Sequence, residues 1–179
     1  MPKTRSELDR ETKKAEILEA AERQLCRGGY EALSIAAIAR ELGVAQNAVY
    51  WYFPSKDHLF VAGLERMVRA MVAGKPRSRA LEGKVLYFAD QLQQLAEVRA
   101  AMYERARNSE VVAEFVRNLD LTWRRMLAGA LAPHVAEDEL PIAVDTLIAT
   151  IQGALLQRLT ASERKRVIGF ALERLTAEQ

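Results

Sequence analysis

Between Gly43 and Pro54 there is room for one short helix and nothing longer, and that helix carries more aromatic side chains than it can bury. The stretch reads Leu42-Gly43-Val44-Ala45-Gln46-Asn47-Ala48-Val49-Tyr50-Trp51-Tyr52-Phe53-Pro54-Ser55-Lys56. Gly43 is a helix stop, because left-handed backbone costs glycine least. Pro54 disfavours helical geometry at the residue before it, so the helix is expected over Gln46 to Phe53. Val49 and Phe53 lie four apart and share one face, while Tyr50, Trp51 and Tyr52 spread around the rest. Hydrogen-bonding aromatics held outward on so short a helix imply that it touches something.

The segments before it fit around this helix. Residues 1–12 alternate charges without apolar periodicity and read as a flexible arm. Ile17, Leu18, Ala21 and Leu25 have helical spacing, and Gly28-Gly29 ends that run. Ser34 suits the N-cap of a second helix with Ile35, Ile38, Ala39 and Leu42 on its apolar face. Helix, short helix, glycine turn and short helix make a helix-turn-helix order. Periodicity alone leaves two readings open, any small three-helix bundle or the DNA-binding version.

Composition sets the class. Half of the 179 residues are apolar and 7% aromatic, with glycine and proline confined to a few places, the profile of an all-α protein. Net charge is +2, and over residues 1–60 each Lys or Arg is matched by an Asp or Glu. Any nucleic-acid argument must therefore rest on where charges stand. The single cysteine, Cys26, excludes an internal disulfide and reads as a small side chain near the end of the first helix. The charged N-terminus is no signal peptide, and the apolar run near Leu147–Leu156 is too short to span a bilayer. A cytoplasmic protein with no membrane partner is expected.

Beyond Ser55, which can cap a fourth helix to about Val72, the segment from Gly74 to Arg79 is rich in turn formers and cations. The domain boundary is drawn ahead of it, giving residues 1–60 and 61–179. Leu81, Val85, Phe88, Leu92 and Leu95 form a fifth helical pattern, and whether it continues through Ala106 as one helix or two is left open. A long helix is expected from Asn108-Ser109 to about Leu131, then one from Pro141 to Leu159 and a last one capped by Ser162.

With the chain laid out, its first sixty residues resemble the tetracycline-repressor (TetR) family of bacterial transcriptional regulators. The resemblance is carried by Ile17-Leu18, Ala20-Ala21, Gly29-Tyr30, Ser34, Ile38-Ala39, Leu42-Gly43-Val44, Tyr50, Tyr52-Phe53, Lys56, Leu59-Phe60 and Ala62. It implies an N-terminal helix-turn-helix DNA-binding domain and a C-terminal helical domain for effector binding and dimerisation. The second helix of such a motif meets base edges with its N-terminal residues, here Gln46, Asn47 and Ala48. Gln and Asn can pair with adenine, and Ala48 can offer a methyl contact to thymine. The resemblance further implies phosphate contacts from Tyr50, Tyr52, Lys56 and the capping end at Ser34. Trp51 has two readings, one on the DNA face and one as a seal on the small core. Arg5, Arg10, Lys13 and Lys14 read equally as DNA-following cations or as a solvated tail.

Two departures from the family pattern stand out. Ala45 occupies the position where a capping Ser is usual and forgoes about 1 kcal/mol. Ala36-Ala37 offer no hydrogen bonds to bases. Readout is therefore expected to lean on Gln46, Asn47 and the arm.

For the rest of the chain the resemblance implies a homodimer through about 141–159 and 162–176 on a palindromic operator. It also implies a small, largely apolar effector. The candidate effector residues are Phe88, Gln91, Met102, Tyr103, Asn118, Trp123, Met126 and Gln152, and aromatic and methionine side chains at this spacing serve equally as core. His58 and His134 form no metal pattern, and no phosphate loop or nucleophile elbow occurs, so no cofactor and no enzyme activity are expected. The competing class is an all-helical dimeric ligand-binding or scaffolding protein without specific DNA binding.

Overall fold

The computed structural model describes residues 5–74 and 80–177, and every regular element among them is a helix. In chain order these are α1 (Arg5–Ala32), α2 (Ile35–Glu41), α3 (Gln46–Tyr52), α4 (Lys56–Ala73), α5 (Leu81–Gln94), α6 (Ala96–Ala106), α7 (Glu110–Leu131), α8 (Leu140–Leu156) and α9 (Ala161–Leu175). The chain packs into two compact units. One comprises Met1–Ala73 with Glu97–Val116, the other Gly74–Ala96 with Arg117–Gln179.

In the first unit α1 packs on α4 and α2, and α2 packs on α3. Ile17, Ala20, Ala21 and Leu25 of α1 are buried, as are Ile35, Ile38 and Ala39 of α2, Val49 of α3, and Leu59, Phe60 and Leu64 of α4. At Gly63 of α4 a Cβ would come within 2.8 Å of Leu25 Cδ1, so glycine there lets the two helices close up. The run of helical residues in α1 is broken at Gly28 and Gly29, where Gly29 takes φ 60° and ψ −150°, a backbone region essentially limited to glycine.

The α2–α3 corner follows from Gly43. With φ 65° it lets Val44 N–H reach Ala39 O at 2.9 Å while its own N–H reaches Arg40 O at 3.3 Å. These are the two bonds of a Schellman end, which satisfy carbonyls the helix would otherwise leave open.

The second unit is built on α8, which packs on α9 and α5, with α5 also against α9. Its core holds Val85 and Ala89 of α5, Leu127 and Leu131 of α7, Val144, Leu147, Ile151 and Leu155 of α8, and Ile168 and Leu172 of α9. Arg164, 8% exposed, donates to Asp90 at 2.6 Å and to Leu159 O at 2.7 Å.

Several boundaries differ from the sequence reading. Helix α1 starts at Arg5, so residues 5–12 are helical where an arm was expected. Leu, Glu and Arg there are good helix formers, and no glycine or proline interrupts them. Helix α3 ends at Tyr52, because Phe53 before Pro54 is already extended (φ −134°, ψ 98°). The open question over 81–106 resolves into two helices, broken at Leu95 (φ −101°, ψ 19°). The last helix is capped by Thr160, not Ser162. Thr160 and Glu163 have the three-residue spacing for a reciprocal capping box, with Glu163 N–H reaching Thr160 Oγ1 at 3.3 Å and Thr160 N–H reaching Glu163 Oε2 at 2.8 Å. Cys26 is exposed on α1. Residues 75–79 of the cationic boundary segment lie outside the described residues, as do residues 1–4 and the side chain of Arg5.

Among the described residues no helix is long and apolar enough to cross a membrane, and no group of three His, Cys, Asp or Glu side chains could hold a metal ion.

Candidate nucleic-acid interface

Helix α3 divides its residues as its spacing predicts. Val49 is fully buried and the adjoining Phe53 is 4% exposed. Gln46, Asn47, Ala48, Tyr50 and Trp51 are all exposed, with Trp51 at 61%. Tyr52 is half-buried, its ring edge-on to Trp51 with centroids 4.8 Å apart. One short helix therefore displays two amides and two large aromatics outward while its inner face anchors it.

The first turn of α3 has no side-chain cap. Ala45 is extended (φ −69°, ψ 148°), and only its carbonyl is engaged, accepting from Ala48 N–H at 2.9 Å. Helix α2, by contrast, begins at Ser34, whose Oγ accepts from Ala37 N–H at 3.2 Å and whose own N–H donates to Gln24 Oε1 at 2.8 Å. Ser34 thus holds the start of α2 in place.

Lys56 stands in the first turn of α4, with Nζ 4.1 Å from the centre of the Tyr30 ring. Beside it Asp57 is the centre of a polar cluster that sequence reasoning missed. Tyr30 donates its hydroxyl to Asp57 Oδ1 at 2.6 Å, and Arg105 of α6 donates to both carboxylate oxygens at 2.9 Å. The hydrogen bonds from Arg105 hold the Asp57 carboxyl well below the usual carboxylate range, outweighing its partial burial. Burial, and then the bond to Asp57, pushes the Tyr30 hydroxyl up to about 12. The Tyr30 ring also meets Phe60 edge-on at 5.0 Å. No local sequence pattern links residues 57 and 105, which lie far apart along the chain.

A second contact outside the expected set lies on α1. Arg10 Cζ is 4.5 Å from the centre of the Trp51 ring, and one turn on Lys14 Nζ is 5.8 Å from that of Phe53. The four-residue spacing of the two cations was a usable signal, because it places both on one face of a helix.

The candidate effector residues fall in both units. Met102 and Tyr103 belong to the first, where Met102 is 2% exposed and Tyr103 is 46% exposed. Phe88, Gln91, Asn118, Trp123, Met126 and Gln152 belong to the second. There Phe88 and Trp123 meet edge-on with centroids 4.4 Å apart, and both are half-buried. Gln91 is also half-buried, whereas Asn118, Met126 and Gln152 are exposed.

Known proteins resemble this chain in its helix-turn-helix segment and in its fold. Residues 17–62 match the family described as bacterial regulatory proteins, tetR family. The HTH-type transcriptional repressor KstR of Mycobacterium tuberculosis is 29% identical over 190 residues, covering 97% of this chain and 84% of the relative. A transcriptional regulator from a Rhodococcus species superposes with a TM-score of 0.72 at 22% identity, covering 90% of this chain and 94% of that one. A regulator from Saccharomonospora viridis, solved in complex with choline, gives a TM-score of 0.73 at 18% identity, covering 94% and 100%. Residues 17–62 are thus a tetR-family helix-turn-helix segment, and the chain is a DNA-binding transcriptional regulator.

Proposed function

We propose that the protein is a repressor that binds a palindromic operator as a homodimer and is released by a small, largely apolar effector. The observation that carries this reading is the division of α3, with Val49 buried and Gln46, Asn47, Ala48, Tyr50 and Trp51 turned outward. Gln46 and Asn47 read bases and Ala48 supplies a methyl contact, while Tyr50, Trp51, Tyr52, Lys56 and the Ser34 end of α2 face the backbone. Each good amide–adenine pair contributes roughly 1–3 kcal/mol of discrimination against the wrong base.

Dimerisation is supported by apolar side chains left uncovered in the second unit, among them Ile142 at 64% and Leu156 at 84% exposure on α8 and Phe170 at 59% on α9. Two copies related by a two-fold axis present their α3 helices to half-sites one helical turn apart, about 34–36 Å. The half-buried Phe88–Trp123 pair supports an apolar effector site in the second unit. Release is a population shift. A ligand that binds the wrongly spaced form better moves the equilibrium, and carrying it from 1:99 to 99:1 takes about 5.5 kcal/mol of differential affinity.

The test is a gel shift with DNA from upstream of the protein's own coding region over a salt series, with the stoichiometry read by sedimentation. Specific binding by a dimer with a steep negative log–log salt slope is expected. Lys56→Ala weakens binding to every sequence and flattens the slope, whereas Asn47→Ala relaxes preference at one position in each half-site. Dimers without a sequence-preferring shift at low salt would place the protein in the scaffold class. An unchanged preference in Asn47→Ala would remove Asn47 from base reading.

A further inference from the structure

Arg10 of α1 and Trp51 of α3 touch, and holding the fold together does not explain their contact. Trp51 is 61% exposed and Arg10 is exposed too, so their stack closes over no core. Among the described residues Lys13 is paired with Glu16, and Arg23 with Glu19 and Glu41, whereas no carboxylate is paired with Arg10 or Lys14. Both of these cations stand over aromatic rings at α3, Arg10 on Trp51 and Lys14 on Phe53 just beyond the helix.

The geometry suits an anion. A guanidinium held over an indole by its charge still has N–H donors to offer, and those donors match phosphate oxygens in pairs. Tyr52, edge-on to Trp51 with ring centroids 4.8 Å apart, limits how far the indole can swing. On α3, Trp51 lies four residues beyond Asn47, on the same face one turn along. A phosphate held by Arg10 would therefore belong to the backbone flanking the base that Asn47 meets.

We propose that Arg10 and Trp51 form one phosphate-binding unit, in which Trp51 positions the guanidinium and Arg10 takes a DNA phosphate beside the Asn47 contact. This rests on the DNA-binding reading above and extends the interface from α3 onto α1. Trp51 acts as a positioning residue and carries no base preference of its own.

The test uses the full-length protein, a duplex selected by it from a random pool and a scrambled duplex of the same length, with affinities measured by fluorescence anisotropy from 50 to 200 mM salt. Each lost phosphate contact lowers the log–log slope by about 0.9, hence by about 1.8 for a dimer. Over that salt range, affinity of the unaltered protein should fall about 12-fold more than that of Arg10→Ala. Arg10→Ala should weaken both duplexes by the same factor with an unchanged melting temperature, and Arg10→Lys should recover most of the slope. Trp51→Ala should reproduce the Arg10→Ala slope, and the double variant should be no worse than either alone. An unchanged slope in Arg10→Ala, or single losses that multiply in the double variant, overturns the unit. Should Trp51→Ala not fold, Trp51→Phe takes its place, with an intermediate slope expected and the same refuting result. If the unaltered protein prefers neither duplex, the DNA-binding reading fails first, and this one with it.

Discussion

Ala45 is the place where a single hydroxyl should change both stability and DNA affinity. It sits at the N-cap of α3 in extended geometry, φ −69° and ψ 148°, which a serine cap adopts without strain. Helices α2 and α9 show what is absent, since Ser34 accepts from Ala37 N–H at 3.2 Å and Thr160 from Glu163 N–H at 3.3 Å. In Ala45→Ser the introduced oxygen can accept from the N–H of Asn47 or Ala48. The gain expected is about 1 kcal/mol, which for a chain of this size raises the melting temperature by about 2–4 °C. Removing the cap in Ser34→Ala should lower it by a similar amount. The functional consequence depends on whether the first turn of α3 is frayed in the free protein. If DNA orders that turn, the cap supplies in advance up to about 1 kcal/mol of the ordering cost, a gain of about fivefold in affinity per protomer. Thermal unfolding followed at 222 nm, amide exchange at Ala48 and Val49, and anisotropy titrations read the three effects separately. A Ser34→Ala variant that melts lower beside an Ala45→Ser variant that melts no higher would refute the reasoning, because the same capping bond would then be stabilising at one helix and not at the other.

Other substitutions test other parts of the fold. Arg158 holds φ 54° at the end of α8, where Leu159 N–H reaches Ala154 O at 3.1 Å, so Arg158→Gly should relieve about 1 kcal/mol and raise the urea midpoint. Gly29 has the opposite sign: Gly29→Ala forces a side chain onto φ 60°, ψ −150° and should cost about 1–3 kcal/mol, read by the same unfolding curves. Asp57 is held below the usual carboxylate range by Arg105, so its contribution is complete above the unfolded carboxylate pKa of about 4 and fades as pH falls through the folded value. The stability gap between the unaltered protein and Asp57→Asn should therefore be constant from pH 7 to 5 and shrink below pH 4, and a gap that stays constant to pH 3 would remove Asp57 from the acid response.

What the chain shows without its fold is local. Gly43 marks the turn because one left-handed residue allows both bonds of a Schellman end. Pro54 marks the end of α3 for an equally local reason. The inward pair Val49 and Phe53 and the outward amides follow from helical spacing alone. Helix ends were less legible from the chain alone. Ser162 and Thr160 are both capping residues, and only the reciprocal bond with Glu163 selects Thr160. The same holds for residues 5–12, whose charges suit a tail as well as they suit a solvated helix face.

The candidate effector residues show where such reasoning ends. Helical periodicity marks Met102, Tyr103 and Met126 as apolar-face residues, yet Met102 is 2% exposed while Tyr103 and Met126 stand at 46% and 39%. Periodicity reports that a face is apolar, and only packing decides how much of it is covered.

The sequence by itself determined that this protein is all helical, that its short third helix follows a glycine turn, and which amides that helix shows to solvent. Helical spacing, glycine and proline act within a few residues, so they can be read along the chain. Only the tertiary structure decided that Arg105 grips Asp57 beside Lys56, and that Arg10 lies on Trp51. Those contacts join residues some 40 to 50 positions apart, brought together by the burial of apolar faces elsewhere in the unit. Burial is non-directional and leaves no mark on the charged residues that it happens to bring into contact.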